Sequence, residues 1–234
     1  MNKIVLLRLK LFKMINDKFT PPQQINKWYH NGVRADVVHL LPTHYSKILE
    51  IGGGDGAFRQ CLKNTNEYWG IEPYEPAANI AKTVLDKVLV GTYDEVSSSL
   101  PDNYFDLVLC FDVMEHMAYP ELFLQSVKGK MTSNGFIVAS IPNIRYIFAL
   151  KEILIDKDWR YRERGIFDNT HLRFFTKKSA IRLLENNGFN IEQIDGLSLI
   201  KWHNLLKQQL FHLIASFIGK DIKYLQFGIR ATLR

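Results

Sequence analysis

Between residues 47 and 140, short apolar runs alternate with longer segments of helical spacing. The apolar runs are rich in β-branched and aromatic residues, as strands of a buried sheet are. This alternation predicts a parallel sheet built from βαβ units, with right-handed crossovers that place helices on both faces. The predicted strands are residues 47–51, 68–71, 87–90, 105–110 and 136–140, and the predicted helices are residues 57–63, 76–85 and 121–131.

The pattern changes after Pro142. Residues 145–176 do not continue the alternation and predict an inserted cap, which is followed by a helix at residues 177–187. Residues 189–195 and 224–233 are predicted to be two closing strands. Between them, in a second insertion near residues 197–223, residues 205–218 have the apolar spacing of an amphipathic helix.

These elements predict a doubly wound α/β domain with a seven-stranded, mostly parallel sheet and an inserted cap. We assign this domain to residues 47–234, and a mostly helical N-terminal segment to residues 1–46. Turns are expected at residues 101–103 and 133–135, where Asn, Asp, Gly and Pro are concentrated.

Composition excludes several other classes of protein. With 47% hydrophobic residues in 234, the chain can bury a sizeable core and is unlike a disordered one. Cys61 and Cys110 lie in apolar contexts without a CxxC pair, so neither a disulfide framework nor a zinc site is predicted. No cluster of His, Asp and Glu is evident in the sequence, so no metal is expected. A reducing cytoplasm is the expected location.

The net charge of +6 is concentrated at the two ends of the chain. Residues 1–18 hold five basic side chains and one acidic, and residues 197–234 hold six basic and one acidic. Basic ends on a near-neutral body suggest peripheral contact with an anionic membrane surface or a phosphate-bearing substrate; solvated termini explain them equally well. No signal peptide is evident, and the stretch 205–218 is shorter than the roughly 20 residues that span a bilayer.

A glycine-rich loop follows the first predicted strand. Gly52, Gly54 and Gly56 lie between this strand and a helix, where glycines allow close backbone approach to a ligand. Glu72 ends the second strand and can accept hydrogen bonds from both hydroxyls of a ribose. Glu50, inside the first strand, is costly to bury without hydrogen-bond partners and is expected to brace the loop. By itself, this pattern fits a nicotinamide cofactor as well as another nucleoside.

Three motifs in this order resemble the class I S-adenosylmethionine-dependent methyltransferases, in particular small-molecule enzymes linked to surface polysaccharide and lipid modification. They are EIGGGDG at residues 50–56, GIEP at 70–73 and FDLVLCFDVMEH at 105–116. GFIVASIPN at residues 135–143 is similar to the fifth strand of that family, and residues 189–195 and 224–233 resemble its closing antiparallel strands. The resemblance covers about residues 30–196 and 224–233.

The resemblance implies a cofactor site for S-adenosylmethionine. The glycine loop would hold the methionine part, Glu72 with Pro73 the ribose, and Thr92 with Tyr93 the adenine. An acidic residue is common in the family at the position of Thr92. Phe111 and Asp112 would flank the cofactor, and Arg34 is a candidate for binding its carboxylate.

Methyl transfer from a sulfonium requires alignment of the acceptor and exclusion of water, and a base helps when the acceptor is a hydroxyl. His116 follows strand four, and His171 lies in the polar segment GIFDNTHLRFFT at residues 165–176, so both are candidate bases. Arg173 is a candidate anion clamp, and Asp168 and Tyr161 are further candidates for substrate binding. Alternatives are a surface position for His116 and a structural pairing of Asp168 with Arg173 that holds the loop.

We expect methyl transfer to a hydroxyl of a small molecule, such as a sugar, a nucleotide-linked sugar or a lipid-linked precursor. A quinone-type aromatic ring is the alternative acceptor. A nicotinamide-dependent oxidoreductase and a non-catalytic nucleoside-binding protein are the other classes that the glycine loop permits. Nucleic acid is not an expected partner, because no recognition motif accompanies the basic residues.

Overall fold

The fold is a seven-stranded sheet covered by helices. The structure, a computed structural model, describes residues 33–62, 67–200 and 205–234. The expected helical segment at residues 1–46 lies mostly outside the described residues; its described part contains a 3₁₀ helix, Ala35–Leu40. The strands are β1 Lys47–Ile51, β2 Glu67–Glu72, β3 Lys87–Val90, β4 Phe105–Phe111, β5 Met131–Pro142, β6 Phe189–Leu199 and β7 Tyr224–Leu233.

Four of the six α-helices that the structure describes lie within a few residues of a predicted helix; Tyr93–Val96 and Ile147–Lys151 were not predicted. The six are α1 Glu75–Ala81, α2 Tyr93–Val96, α3 Pro120–Lys128, α4 Ile147–Lys151, α5 Lys177–Asn186 and α6 Leu205–Ile218. The segment after the glycine loop is a 3₁₀ helix, Ala57–Cys61, and α4 continues as a π-helix, Glu152–Asp156. No helix in the described part of the chain is both long and apolar enough to cross a membrane.

The strand order across the sheet is β3-β2-β1-β4-β5-β7-β6. Strands β1 to β5 pair in parallel, whereas β7 is antiparallel to both β5 and β6. The sheet is therefore mixed, and the expectation of a mostly parallel sheet is wrong. Since β7 lies between β5 and β6, the three strands at this end of the sheet alternate in direction.

Alternate side chains of the strands enter two hydrophobic clusters, as expected for a sheet covered on both faces. Leu49 of β1 belongs to the cluster that includes Phe123 of α3 and Leu184 of α5. Its neighbour Ile48 belongs to the cluster that includes Leu40 and Phe58 of the 3₁₀ helices. The doubly wound arrangement brings the carboxyl ends of the parallel strands to one edge.

The predicted end of α3 and the turn after it need correction. Helix α3 ends at Lys128, three residues before the predicted end, because Met131 already pairs with Phe105 in the sheet. The next pair is Phe136 with Leu107, so residues 132–135 form an irregularity within β5. The turn residues 133–135 therefore interrupt a longer strand instead of preceding it.

A close backbone approach at β6 leads to a prediction about stability. A Cβ atom at Gly196 would overlap the ring of Tyr224 on the opposite strand. Gly196→Ala is expected to lower the free energy of unfolding by about 1–3 kcal/mol, as overpacking of a core does. Denaturant titration monitored by circular dichroism measures this loss.

Gly129→Ala is the matched control, because a Cβ there meets its nearest atom, the Ser126 carbonyl oxygen, at 3.4 Å. An equal loss in both variants would contradict the packing argument.

Candidate active site

The glycine loop after β1 is held by the end of β2. Gly52, Gly54 and Gly56 all have positive φ angles, of 70°, 55° and 79°, which glycine adopts without steric strain. The amides of Gly52 and Gly53 donate to the Ile71 carbonyl oxygen at 2.8 and 3.2 Å. The loop is thus anchored to the neighbouring strand.

Glu72 extends this anchoring through its side chain. One carboxylate oxygen accepts from the Gly54 amide and the other from the Tyr74 amide, each at 2.8 Å. Glu72 is buried. Each carboxylate oxygen has a second lone pair, so Glu72 retains the capacity to accept hydrogen bonds from ribose hydroxyls.

Glu50 lies below the loop and is buried. The Tyr68 hydroxyl donates a hydrogen bond to it, and a Cβ at Gly53 would lie 3.1 Å from its Oε2 atom. Burial raises the pKa of Glu50 to about 8, although the Tyr68 hydrogen bond opposes this rise. Glu50 therefore holds a proton at neutral pH.

A charged network closes the other side of the site. Asp112, directly after β4, has a φ of 54° and accepts from Arg34 at 2.7 Å, Ser140 at 2.8 Å and Gln226 at 2.9 Å. Arg34 also donates to both carboxylate oxygens of Asp36. The N–H groups of Arg34 thus already donate to protein oxygens. Binding of a cofactor carboxylate by Arg34 stays a prediction, and it requires that the carboxylate replaces one of these acceptors.

These residues line a cavity of about 850 Å³. Ten of the eleven residues predicted for the cofactor belong to its wall: Arg34, Glu50, Gly52, Gly54, Glu72, Pro73, Thr92, Tyr93, Phe111 and Asp112. Gly56 is not part of the wall, because a Cβ at this position would point toward Val84 and Leu85. A Cβ at Gly54 would meet no atom within 4 Å, so the loop leaves free space where a cofactor would lie. On this geometry the wall fits S-adenosylmethionine.

The part of the wall that the resemblance assigns to adenine also contains a carboxylate that sequence analysis missed. Thr92 caps α2, and both its amide and its hydroxyl donate to Glu95, at 2.7 and 2.8 Å. The Tyr93 hydroxyl lies 3.1 Å from the Ser126 hydroxyl. Asp94 also lines the cavity, so an acidic residue is present two positions after Thr92. Asp94 lies in the first turn of α2, and the sequence alone did not indicate that it faces the cavity.

His116, which follows β4 in the sequence, also lines the cavity. Its Nδ1 atom is 3.0 Å from the Thr170 hydroxyl and 3.3 Å from the Thr170 carbonyl oxygen. Burial is the main cause that lowers the pKa of His116, and His171 also lowers it. His116 is therefore neutral at pH 7 and able to accept a proton.

His171 is placed behind His116 and outside the cavity wall, which does not support its expected role as a base. It is buried, its Nδ1 donates to the Ile166 carbonyl oxygen at 3.0 Å, and its ring contacts that of His116 edge to face at 4.7 Å. Its Nε2 atom is 4.0 Å from Glu115. Glu115 is 1% exposed, and its two carboxylate oxygens have no hydrogen-bond partner among the described residues. Burial raises the pKa of Glu115 well above its usual range.

The other predicted substrate residues also lie outside the wall. Arg173 donates from two nitrogens to the Ala118 carbonyl oxygen, so it joins two segments of chain instead of facing a ligand. Asp168 is buried and accepts from the amide and hydroxyl of Thr170, at 2.8 and 2.6 Å. Tyr161 is 60% exposed on the cap. The alternative, a pairing of Asp168 with Arg173, does not form either.

Donor atoms of Glu115, His116 and His171 lie within 4.8 Å of one another, a spacing from which a metal ion could be held. Sequence analysis found no such cluster, because the fold brings together residues about 55 positions apart. The Nδ1 atoms of both histidines are already bound to protein oxygens. Any metal would therefore bind their Nε2 atoms.

The structure also reveals an apolar side to the cavity. Met117, Tyr119, Leu122, Phe123 and Leu172 line it beside His116. Tyr119 and Leu122 are 66% and 60% exposed. Leu172 reaches the wall because its amide donates to the Glu115 carbonyl oxygen at 2.8 Å. None of these residues has a spacing in the sequence that indicates a binding role.

Several proteins with similar sequences share the name ubiquinone biosynthesis O-methyltransferase. The mitochondrial ubiquinone biosynthesis O-methyltransferase of Schizosaccharomyces pombe is 27% identical over 170 residues, which are 70% of this chain and 60% of that protein. That of Mus musculus is 22% identical over 197 residues, 77% of this chain and 53% of that protein. The protein of that name from Rickettsia felis is 25% identical over 183 residues, 71% and 72% of the two chains. The chain thus spans less than two thirds of the length of the two eukaryotic relatives.

Solved structures share the fold. A SAM-dependent methyltransferase from Archaeoglobus fulgidus has a TM-score of 0.56 at 21% identity, covering 97% of this chain and 92% of that one. One from Mesorhizobium loti has a TM-score of 0.56 at 15% identity, covering 83% and 94%.

The family assignment rests on a longer match. Residues 18–194, well over half of the chain, match the family described as a methyltransferase domain. This match gives no support to the nicotinamide-dependent or non-catalytic alternatives. The chain belongs to the methyltransferase domain family, and the domain that it forms is an S-adenosylmethionine-dependent methyltransferase.

Proposed function

We propose that the protein transfers a methyl group from S-adenosylmethionine to a hydroxyl on a quinone-type aromatic ring. The observation that carries this proposal is the apolar side of the cavity beside His116, formed by Met117, Tyr119, Leu122, Phe123 and Leu172. An aromatic ring with an apolar substituent would bury its surface against these side chains. The names of the similar sequences, ubiquinone biosynthesis O-methyltransferases, support the same class of acceptor.

Sugar, nucleotide-sugar and other polar acceptors have less support. The residues predicted to bind a sugar or its phosphate, Arg173 and Tyr161, lie outside the cavity wall. The Trp159 ring, next to Tyr161 on the cap, packs against the rings of Phe167 and Phe174, with centroid distances of 4.7 and 4.9 Å. The positions of these side chains therefore give no support to the link with surface polysaccharide that the resemblance implied.

In this proposal the cofactor lies along the glycine loop, with Glu72 at its ribose and Asp94 near its adenine. His116 acts as the base. The acceptor hydroxyl loses its proton to His116 as its oxygen attacks the methyl carbon and the carbon–sulfur bond breaks, releasing S-adenosylhomocysteine. The apolar side chains exclude water from the reacting atoms.

A panel of acceptors tests this function. The purified protein is incubated with S-adenosylmethionine and either a catechol that carries an apolar tail or a nucleotide-linked sugar, and methylated products are measured by mass spectrometry. We expect methylation of the catechol and a loss of at least 100-fold in turnover for His116→Ala.

His44→Ala, which removes a histidine outside the cavity wall, is the matched control and should retain activity. Methylation of the sugar and not of the catechol would overturn the choice of acceptor.

The buried acid below the glycine loop gives a prediction about pH. The folded protein holds a proton on Glu50 up to about pH 8, whereas an unfolded chain releases it near pH 4.5. The shifted pKa of Glu50 therefore contributes to the free energy of unfolding below about pH 4.5, and this contribution is lost as pH rises to about 8. Glu50→Gln should therefore gain stability relative to the natural protein by roughly 1.4 kcal/mol per pH unit at most across this range.

Thermal unfolding of both proteins between pH 5 and 9 measures this difference. Glu121→Gln, on an exposed position of α3, is the control and should follow the natural protein. Parallel curves for Glu50→Gln and the natural protein would show that Glu50 is ionised throughout.

We also propose that α6 contacts an anionic membrane surface from which an apolar acceptor would be taken. Leu213 and Phe217, one turn apart on α6, are 49% and 84% exposed. Lys220 and Lys223 lie in the 3₁₀ helix that follows α6. Such a combination of apolar and basic side chains favours binding to anionic lipid.

Sedimentation with vesicles tests this contact. Binding should occur with anionic vesicles, fall with added salt, and fall severalfold in the double variant Leu213→Ser/Phe217→Ser. The control Leu154→Ser replaces another exposed apolar residue, on the π-helix. Equal binding to neutral and anionic vesicles would contradict the proposal.

A further inference from the structure

The hydroxyl of Thr170 lies between a buried carboxylate and the histidine in the cavity wall. It is 2.6 Å from Oδ1 of Asp168 and 3.0 Å from Nδ1 of His116. Asp168 is held in place because its Oδ1 atom also accepts from the Thr170 amide, at 2.8 Å. Three side chains from two distant segments thus form one chain of hydrogen bonds.

The directions of these hydrogen bonds follow from the number of protons available. A threonine hydroxyl has one hydrogen, and the Asp168 carboxylate, which can only accept, receives it. The Thr170 oxygen must then accept from His116. The carbonyl oxygen of Thr170, 3.3 Å from the same Nδ1 atom, is also only an acceptor. Both contacts therefore require that Nδ1 of His116 carries a hydrogen.

The proton on Nδ1 decides the chemistry of the other ring nitrogen. In a neutral imidazole only one nitrogen is protonated, so Nε2 of His116 has a free lone pair. His116 lines the cavity, and Nε2 is its only nitrogen without a described protein partner. This tautomer is the one that can take a proton from an acceptor hydroxyl.

We propose that Thr170 is a positioning residue, which links Asp168 to His116 and keeps the His116 ring in the tautomer that accepts the substrate proton on Nε2. The inference rests on the proposed role of His116 as the base. During transfer the acceptor oxygen forms its bond to the methyl carbon, the carbon–sulfur bond breaks, and the hydroxyl proton moves to Nε2. The proton on Nδ1 stays hydrogen-bonded to Thr170, and Nε2 later releases its proton to water.

The charged and titratable groups around His116 are consistent with this role. Asp168 from the cap and Asp112 from the end of β4 favour the protonated ring, whereas burial and the His171 ring oppose it. Glu115, the preceding residue, is buried, and burial raises its pKa well above its usual range. Asp168 and Asp112 thus stabilise the imidazolium that forms when the ring takes the proton.

Thr170→Val tests the link, since it removes the hydroxyl and keeps the shape of the side chain. We expect turnover to fall about tenfold, the size expected for one hydrogen bond, with the affinity for S-adenosylhomocysteine changed less than twofold. The pH at which turnover is half-maximal should shift as well. Thr170→Ser should restore turnover to within threefold of the natural protein.

Thr83→Val is the matched control, because its hydroxyl donates to the Ile80 carbonyl oxygen at an exposed turn far from His116 in the sequence. The proposal would be overturned if Thr170→Val had a turnover within twofold of that of the natural protein and an unchanged pH of half-maximal turnover. The same follows from a loss of turnover that Thr170→Ser fails to restore. Activity that EDTA abolishes and a divalent cation restores would assign His116 to a metal instead and also overturn it.

A measurement that needs no acceptor separates this inference from the proposed function. Long-range ¹H–¹⁵N correlation spectra report which nitrogen of His116 carries the proton. We expect protonated Nδ1 in the natural protein and in Thr170→Ser, and a mixture of tautomers in Thr170→Val. Protonated Nε2 in the natural protein would refute the link even if the enzyme methylates the catechol.

Discussion

The two hydrogen bonds that the Glu72 carboxylate accepts determine the shape of the cofactor site. Three glycines with positive φ have no side chains to position them, so their loop depends on fixed points elsewhere. Those points are at the end of β2: the Ile71 carbonyl oxygen holds Gly52 and Gly53, and Glu72 holds Gly54. Glu72 also binds the Tyr74 amide at the start of α1. A cofactor therefore meets a loop that is already formed, which reduces the entropy lost on binding.

The opposite side of the site depends on contacts between the cap and the end of β4. The Glu115 carbonyl oxygen accepts from the amides of Leu172 and Arg173, at 2.8 and 2.9 Å. These two bonds place Leu172 in the cavity wall and bring Thr170 to His116. The half of the site that would bind the acceptor is thus assembled from two segments of the chain, whereas the cofactor half is formed mainly by successive strand ends.

This difference explains how much of the site could be predicted from the sequence. Gly52, Gly54 and Glu72 were recognisable because their roles follow from local pattern: an apolar strand, a glycine turn and an acid at the end of the next strand. The roles of Thr170 and Arg173 depend on which residues lie next to them after folding, and no spacing in one sequence encodes that. Arg173 was predicted to be an anion clamp because it lies close to Asp168 and His171 in the sequence. Its observed partner is the Ala118 carbonyl oxygen, and a backbone carbonyl leaves no signal in a sequence.

The same reasoning applies to the fold. The seven strands were predicted, several with the observed bounds, because apolar runs and turn residues mark them locally. The direction of β7 depends on its place between β5 and β6, which is a property of the whole sheet. The irregularity at residues 132–135 likewise follows from pairing with β4, so residues 133–135 were predicted to be a turn before the strand and not part of it.

A structure determined with S-adenosylhomocysteine bound tests the central claim most directly. The ribose hydroxyls should lie within hydrogen-bond distance of the Glu72 carboxylate, with the sulfur atom in the cavity on the side of His116. A ligand bound elsewhere, or a ribose turned away from Glu72 with the Gly54 and Tyr74 hydrogen bonds broken, would contradict it.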